Sequence, residues 1–169
     1  MNPSIEELAS RYEDPFRNSE RISLDPARFE KGITRGDDGA WGVGALVISN
    51  SRGLFVREGE TWLLPGGRLK AEETPEDGAR RELREETGLE IGITGLGAIS
   101  EQTFVREDTN ETYEFRFATF IGELSDGIHA GSVPDNSTDD AVDEIAWHAT
   151  VPENTFDHEL VSRLFDTYI

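Results

Sequence analysis

Glu82, Glu85 and Glu86 stand at i, i+3 and i+4 in a segment that ends in Thr87-Gly88. On a helix this spacing puts three carboxylates on one face, within side-chain reach of one another. Like charges so placed destabilise a solvated helix by roughly 0.2–0.5 kcal/mol per pair. The arrangement gains only when a cation sits among them. Hard divalent cations take oxygen ligands, and Mg²⁺ commonly combines a few carboxylates with waters and substrate phosphates. Gly78 falls one turn earlier on the same face. It costs the helix about 1 kcal/mol relative to Ala and is expected to leave open space beside the carboxylates. Ala79 and Leu83 point to a neighbouring face and are expected to pack on a sheet. Taken alone in an acidic chain, three glutamates on a helix are usually solvated surface, so the wider pattern decides.

That pattern runs from Gly67 to Leu89. Gly67, Glu73, Arg81, Glu82, Leu83, Glu85, Glu86, Gly88 and Leu89 occupy every specified position of G-x5-E-x7-R-E-U-x-E-E-x-G-U, with U aliphatic. The stretch therefore resembles the Nudix box. The preceding Leu64-Pro65-Gly66-Gly67 and the strand pattern also look like the family, so the resemblance spans about 40–169 and defines the expected Nudix hydrolase domain. Residues 1–39 lie outside it, as an N-terminal extension of uncertain structure.

The resemblance implies an α/β fold, a Nudix-type α/β/α sandwich with a central mixed β-sheet. It also implies roles residue by residue. Glu82, Glu85, Glu86 and the Gly67 carbonyl would bind Mg²⁺ or Mn²⁺. Arg81 and Glu73 would pair and orient the carboxylates. Glu82 is one candidate general base, but the family often recruits a carboxylate from a later loop. Here Glu144 comes first, followed by Asp143, Asp140 and Glu114. The implied activity is hydrolysis of a phosphoanhydride bond in a nucleoside diphosphate linked to another moiety, ADP-ribose being one example. A nucleoside triphosphate pyrophosphatase of the same family and a catalytically idle nucleotide sensor are the alternatives. The isomerase that shares the fold uses a cysteine in most members, and this chain has none. The positions that separate substrate subgroups hold Val105, Arg106 and Glu107, which match neither the proline nor the tyrosine signature.

Arg57, Arg68 and Arg116 are the candidate substrate-binding residues, since arginine suits bidentate phosphate recognition. A purely structural role is the competing reading for each, as it is for Arg106. Trp41, Trp62 and Trp147 are expected in the core or on strands, with base stacking the alternative. His129, His148 and His158 lack zinc-ligand spacing.

The elements that must position these residues can be outlined. Thr74 as N-cap, Pro75 at the first helical position and Gly88 as a left-handed cap predict a helix from Thr74 to Thr87. Trp41 to Ile48 is a buried strand, turning at 50–53 into a returning strand at Leu54 to Arg57. Thr61 to Leu64, Ile91 to Ile99, Glu101 to Val105, Tyr113 to Leu124 and Glu144 to His148 are further strands. In one of them Tyr113, Phe115 and Phe117 share a face, with Glu114 and Arg116 on the other. Residues 125–141 read as a long loop. Ser4 to Tyr12 suits a short helix, and Pro152 to Tyr168 ends in one whose apolar stripe includes Leu160, Leu164 and Phe165. Asp14-Pro15, Asp25-Pro26 and 36–39 are turn signals.

Composition narrows the partners. Asp and Glu number 35 against 16 Lys and Arg, a net charge of −19, in 169 residues. Such a surface repels a nucleic-acid backbone, so a DNA- or RNA-binding module is not expected; the small nucleotide substrate is what the family resemblance implies. The charge fits adaptation to high salt, where self-repulsion is screened. No apolar run is long enough to cross a bilayer. The N-terminus has no basic and apolar signal segment, so a cytoplasmic location is expected. A homodimer is compatible with the sequence.

Overall fold

A computed structural model describes residues 3–13, 15–125 and 142–169. Its centre is Trp41–Ser49 (β2), an unbroken apolar run buried on both faces through residue 47, as a central strand requires. Asn50 and Ser51 both adopt positive φ, 51° and 58°. A two-residue turn of that kind matches strand twist, and Arg52–Glu58 (β3) returns alongside. Thr61–Leu63 (β4) pairs with β3, and Gly66–Arg68 (β5) pairs with β2.

Ile91–Arg106 (β6) and Thr112–Leu124 (β7) form a long antiparallel pair. The two strands expected at 91–99 and 101–105 are one strand, bent by register shifts between Ile93 and Gly95 and between Leu96 and Ala98. Such bulges re-aim a strand without ending it. β7 runs parallel to β2, and Glu144–His148 (β8) runs antiparallel to β3. The sheet is therefore mixed, as expected.

Helices cover both faces. Pro75–Thr87 (α3) buries Ala79 and Leu83 against Val43, Ala45 and Phe120. His158–Tyr168 (α4) buries Leu160, Leu164 and Phe165 against Leu46, Phe55 and Ile121 on the other face. Ile5–Ala9 (α1) adds Leu8 to the α3-side core.

The N-terminal 39 residues hold more structure than their sequence suggests. Phe16–Leu24 (β1) extends the sheet, parallel to β6, and Pro26–Arg35 (α2) follows. Asp25-Pro26 is a helix start rather than a turn. The Asp25 carboxylate accepts from the Arg28 amide at 2.9 Å, Pro26 takes the first helical position, and Gly36 closes the helix at φ 82°. No described helix is long and apolar enough to cross a membrane.

Candidate active site

The site is built around one guanidinium. Arg81, on α3, places all five of its N–H donors. Nε and Nη2 bind the two oxygens of Glu73 at 2.6 and 2.9 Å. Nη1 reaches Glu82 at 2.8 Å and Glu85 at 3.1 Å, and Nη2 also donates to the Arg68 carbonyl at 2.9 Å. The Arg81 hydrogen bonds hold the Glu73 carboxyl below its ordinary range, helped by the Lys70 amide. Arg81 and Glu73 thus lock the loop before α3 onto the helix.

Gly67 is placed by β5 against the same carboxylates. A Cβ there would lie 2.6 Å from the Glu82 carboxylate, so only glycine lets the backbone approach so closely. Glu86 is 3% exposed and accepts from the Gly66 amide at 3.0 Å. Glu82 thus packs on Gly67, Glu86 binds Gly66, and Arg81 joins Glu82 to Glu85; carboxylate oxygens are the donors hard divalent cations take. Among the described residues no three acidic or imidazole side chains are already gathered at metal-binding spacing. Arg81 engages Glu82 and Glu85 instead.

Gly78 does not open space beside the carboxylates. It is buried, and a Cβ would meet Leu69 Cδ1 at 2.5 Å and Val43 Cγ2 at 3.1 Å. Its role is to let α3 pack closely on β2 and the segment after β5.

Two residues expected in separate roles face each other across β3 and β8. Glu144 Oε1 accepts from Arg57 Nη2 at 3.2 Å and Nε at 3.3 Å. Asp143 beside it accepts from the Gly59 amide at 2.7 Å. Arg57 also lies 5.9 Å from the Trp62 ring centre. Arg68 turns its guanidinium to the end of α2, bonding the carbonyls of Arg35 at 2.7 Å and Gly36 at 3.1 Å. Arg116 lies over the buried Trp41 ring at 5.9 Å, on the α3-side face. The Glu114 backbone ties the turn at 38–39 to β7, and Arg106 pairs with Glu30 and Asp108. Asp140 and most of the loop expected at 125–141 lie outside the described residues.

Sequence reasoning missed the cavity beside β5. A hollow of about 290 Å³ opens between Gly66 and the start of α4, lined among others by Ser100, Gln102, Phe115, Phe117 and Asp157. Burial pushes the Asp157 carboxyl up, and Glu159 adds to the effect. Phe156, 59% exposed, stands at the edge. The alternation of Tyr113, Phe115 and Phe117 was the only signal for it. Gly66 joins the two parts of the site, since it lines the hollow and binds Glu86 through its amide.

A family model described as NUDIX domain matches residues 40–159, and the chain belongs to that family. It is 40% identical over 63 residues to a MutT-like protein of Streptomyces ambofaciens, covering 36% of this chain and 41% of that one. It is 29% identical over 119 residues to the nucleoside triphosphatase NudI of an Enterobacter species, covering 69% and 79%. The chain spans 38% of a putative 8-oxo-dGTP diphosphatase 3 of Mycobacterium tuberculosis and 34% of an RNA pyrophosphohydrolase of Zymomonas mobilis. A NUDIX hydrolase structure from Nitrosomonas europaea superposes with a TM-score of 0.57 at 18% identity, over 76% of this chain and 71% of that one. That likeness shows the shared α/β fold with its mixed sheet and flanking helices.

Proposed function

We propose that this chain hydrolyses a phosphoanhydride bond in a nucleoside diphosphate linked to a second moiety, with Mg²⁺ as its cation and Mn²⁺ as a substitute. The observation that carries this reading is the junction at Gly66-Gly67. On one side lies the all-oxygen donor set of α3, and on the other an aromatic hollow of a size and polarity that suit a nucleobase. Glu82, Glu85, Glu86 and the Gly67 carbonyl would hold the cation. When bound, it neutralises the diphosphate and lowers the pKa of an attacking water.

The protein's own residues do the rest. Arg81 and Glu73 fix the carboxylates in position. Phe115 and Phe117 offer faces for a base, while Ser100, Gln102 and Asp157 offer hydrogen bonds to its edge. Glu144 is the proposed general base. Arg57 occupies only its Oε1, and Oε2 has no hydrogen bond among the described residues. Arg57 then serves as a positioning residue for Glu144 rather than a phosphate ligand.

A nucleoside triphosphate pyrophosphatase is the second reading, favoured by the similarity to a nucleoside triphosphatase. A second hollow meeting the first favours the linked diphosphate, because it gives the second moiety a place. The test is formation of the nucleoside monophosphate from a panel of linked diphosphates and triphosphates with Mg²⁺ at high salt, the co-product being the phosphorylated second moiety or pyrophosphate. Turnover led by the linked diphosphates supports the proposal. Turnover confined to triphosphates selects the second reading, and none at all rejects both. Within an active enzyme, Glu144→Gln should lower kcat while leaving metal affinity unchanged, whereas Glu82→Gln should weaken metal binding.

A further inference from the structure

Four of the chain's 16 cationic residues line one hollow of about 480 Å³. Arg28, Lys31 and Arg35 come from α2, Arg68 from β5, and Asp37 is the one acidic residue in the lining. This hollow shares Gln102 and Phe115 with the aromatic one beside Gly66, so the two form one trough along the sheet. We propose that the α2 end of this trough is a phosphate-binding subsite, which takes a phosphate carried by the part of the substrate beyond the scissile anhydride. The inference rests on the reading of the α3 site as a hydrolase of linked nucleoside diphosphates.

Residues 28, 31 and 35 stand at i, i+3 and i+7, so α2 turns all three cations to one face. Like charges at helical spacing repel, and a chain with 35 acidic residues had acids to intersperse. The stripe is the inverse of the glutamate stripe on α3 and calls for the opposite ligand.

Two of the cations are held together by one acid. Asp37 is 6% exposed and shared. Its Oδ2 accepts from Arg35 Nε at 3.0 Å and Nη2 at 2.7 Å, and its Oδ1 lies 3.5 Å from Arg68. One buried carboxylate thus fixes two guanidiniums and neutralises only one. Arg35 Nη1 has no hydrogen bond among the described residues and is free to donate into the hollow. Lys31 has no ion-pair partner among them, and Arg28 has a loose contact to Asp25 at 3.7 Å. Capping of the α2 C-terminus accounts for Arg68, but not for Lys31 and Arg28, one and two turns further back.

The Arg68 carbonyl accepts from Arg81, and its guanidinium grips the end of α2. The subsite is thereby fixed to the box that holds the anhydride. Half of it comes from a segment that precedes the matched domain at 40–159.

The test has two arms. In the first, ¹H–¹⁵N spectra are recorded during titration with inorganic phosphate in EDTA at low ionic strength. Saturable shifts are expected at Lys31, Arg35, Gly36 and Arg68. The double variant Arg28→Gln/Lys31→Gln, both at exposed positions, should bind at least fivefold more weakly, while Arg52→Gln on the β2–β3 turn should bind like wild type. Equal affinity in the double variant, or shifts confined elsewhere, overturns the subsite. The second arm compares kcat/KM for a linked nucleoside diphosphate with and without a phosphate on its distal moiety. A preference for the phosphorylated form that vanishes in the double variant supports the proposal, and no preference in wild type overturns its substrate assignment. Phosphate binding at α2 without turnover of either nucleotide leaves the subsite standing and rejects the hydrolase reading.

Discussion

α2 and α3 are built alike and charged oppositely. Each starts with a capping side chain followed by proline, Asp25-Pro26 and Thr74-Pro75, and each ends on a glycine in the left-handed region. α3 turns Glu82 toward Gly67 and Glu86 toward Gly66, and α2 turns a stripe of cations toward the hollow beside Phe115. Arg68 lies between them, bonded to Arg81 through its carbonyl and to the end of α2 through its side chain. The difference lies in how each stripe is neutralised. On α3, Arg81 holds Glu73, Glu82 and Glu85 with four of its five donors, whereas on α2 a single buried Asp37 leaves the cations in excess. A helix face of uniform charge acquires chemical meaning from the groups the fold sets against it.

The largest effect expected from breaking this arrangement is on α3. Glu86→Gln removes one charge of the proposed cation site at a buried position and should lower turnover by about 10²-fold or more, with the circular dichroism spectrum preserved. Near-normal turnover would detach Glu86 from the metal site. Arg81→Lys comes next. A lysine cannot reproduce five donors in a planar fork, so roughly a 10- to 100-fold loss of kcat/KM is expected. Wild-type kinetics would show that orientation of Glu73, Glu82 and Glu85 is unimportant.

Gly78→Ala probes packing rather than charge. The added methyl meets Leu69 at 2.5 Å, and crowding of that kind destabilises by about 1–3 kcal/mol. Chemical denaturation should show it. An unchanged midpoint would mean that the helix shifts freely on β2.

The two helices were not equally legible in the sequence. α3 announced itself through nine fixed positions and both caps, and Ala79 and Leu83 pack where the helical period puts them. α2 did not, because it buries only Phe29 and Gly32, and an Asp-Pro pair serves a turn as well as a helix start. β1 was hidden for a related reason: its half-buried positions include Asn18 and Glu20, so hydrophobic alternation is weak. The Arg57–Glu144 pair depends on the register of strands 87 residues apart, which no local pattern encodes. Gly78 misled because a gap on the outside of a helix and a close approach on its inside look identical in sequence.

A smaller effect concerns the whole surface. With a net charge of −19, screening between about 0.1 and 2 M KCl should raise the unfolding temperature. A flat profile would remove the argument for adaptation to high salt and leave the site unaffected.

The central claim is that the glutamate stripe of α3 holds a divalent cation. Titration with Mn²⁺, following the free ion by electron paramagnetic resonance, tests it without any substrate. Wild type should bind Mn²⁺ saturably, and Glu86→Gln should bind it at least about tenfold more weakly. Equal binding by the two proteins would contradict the claim.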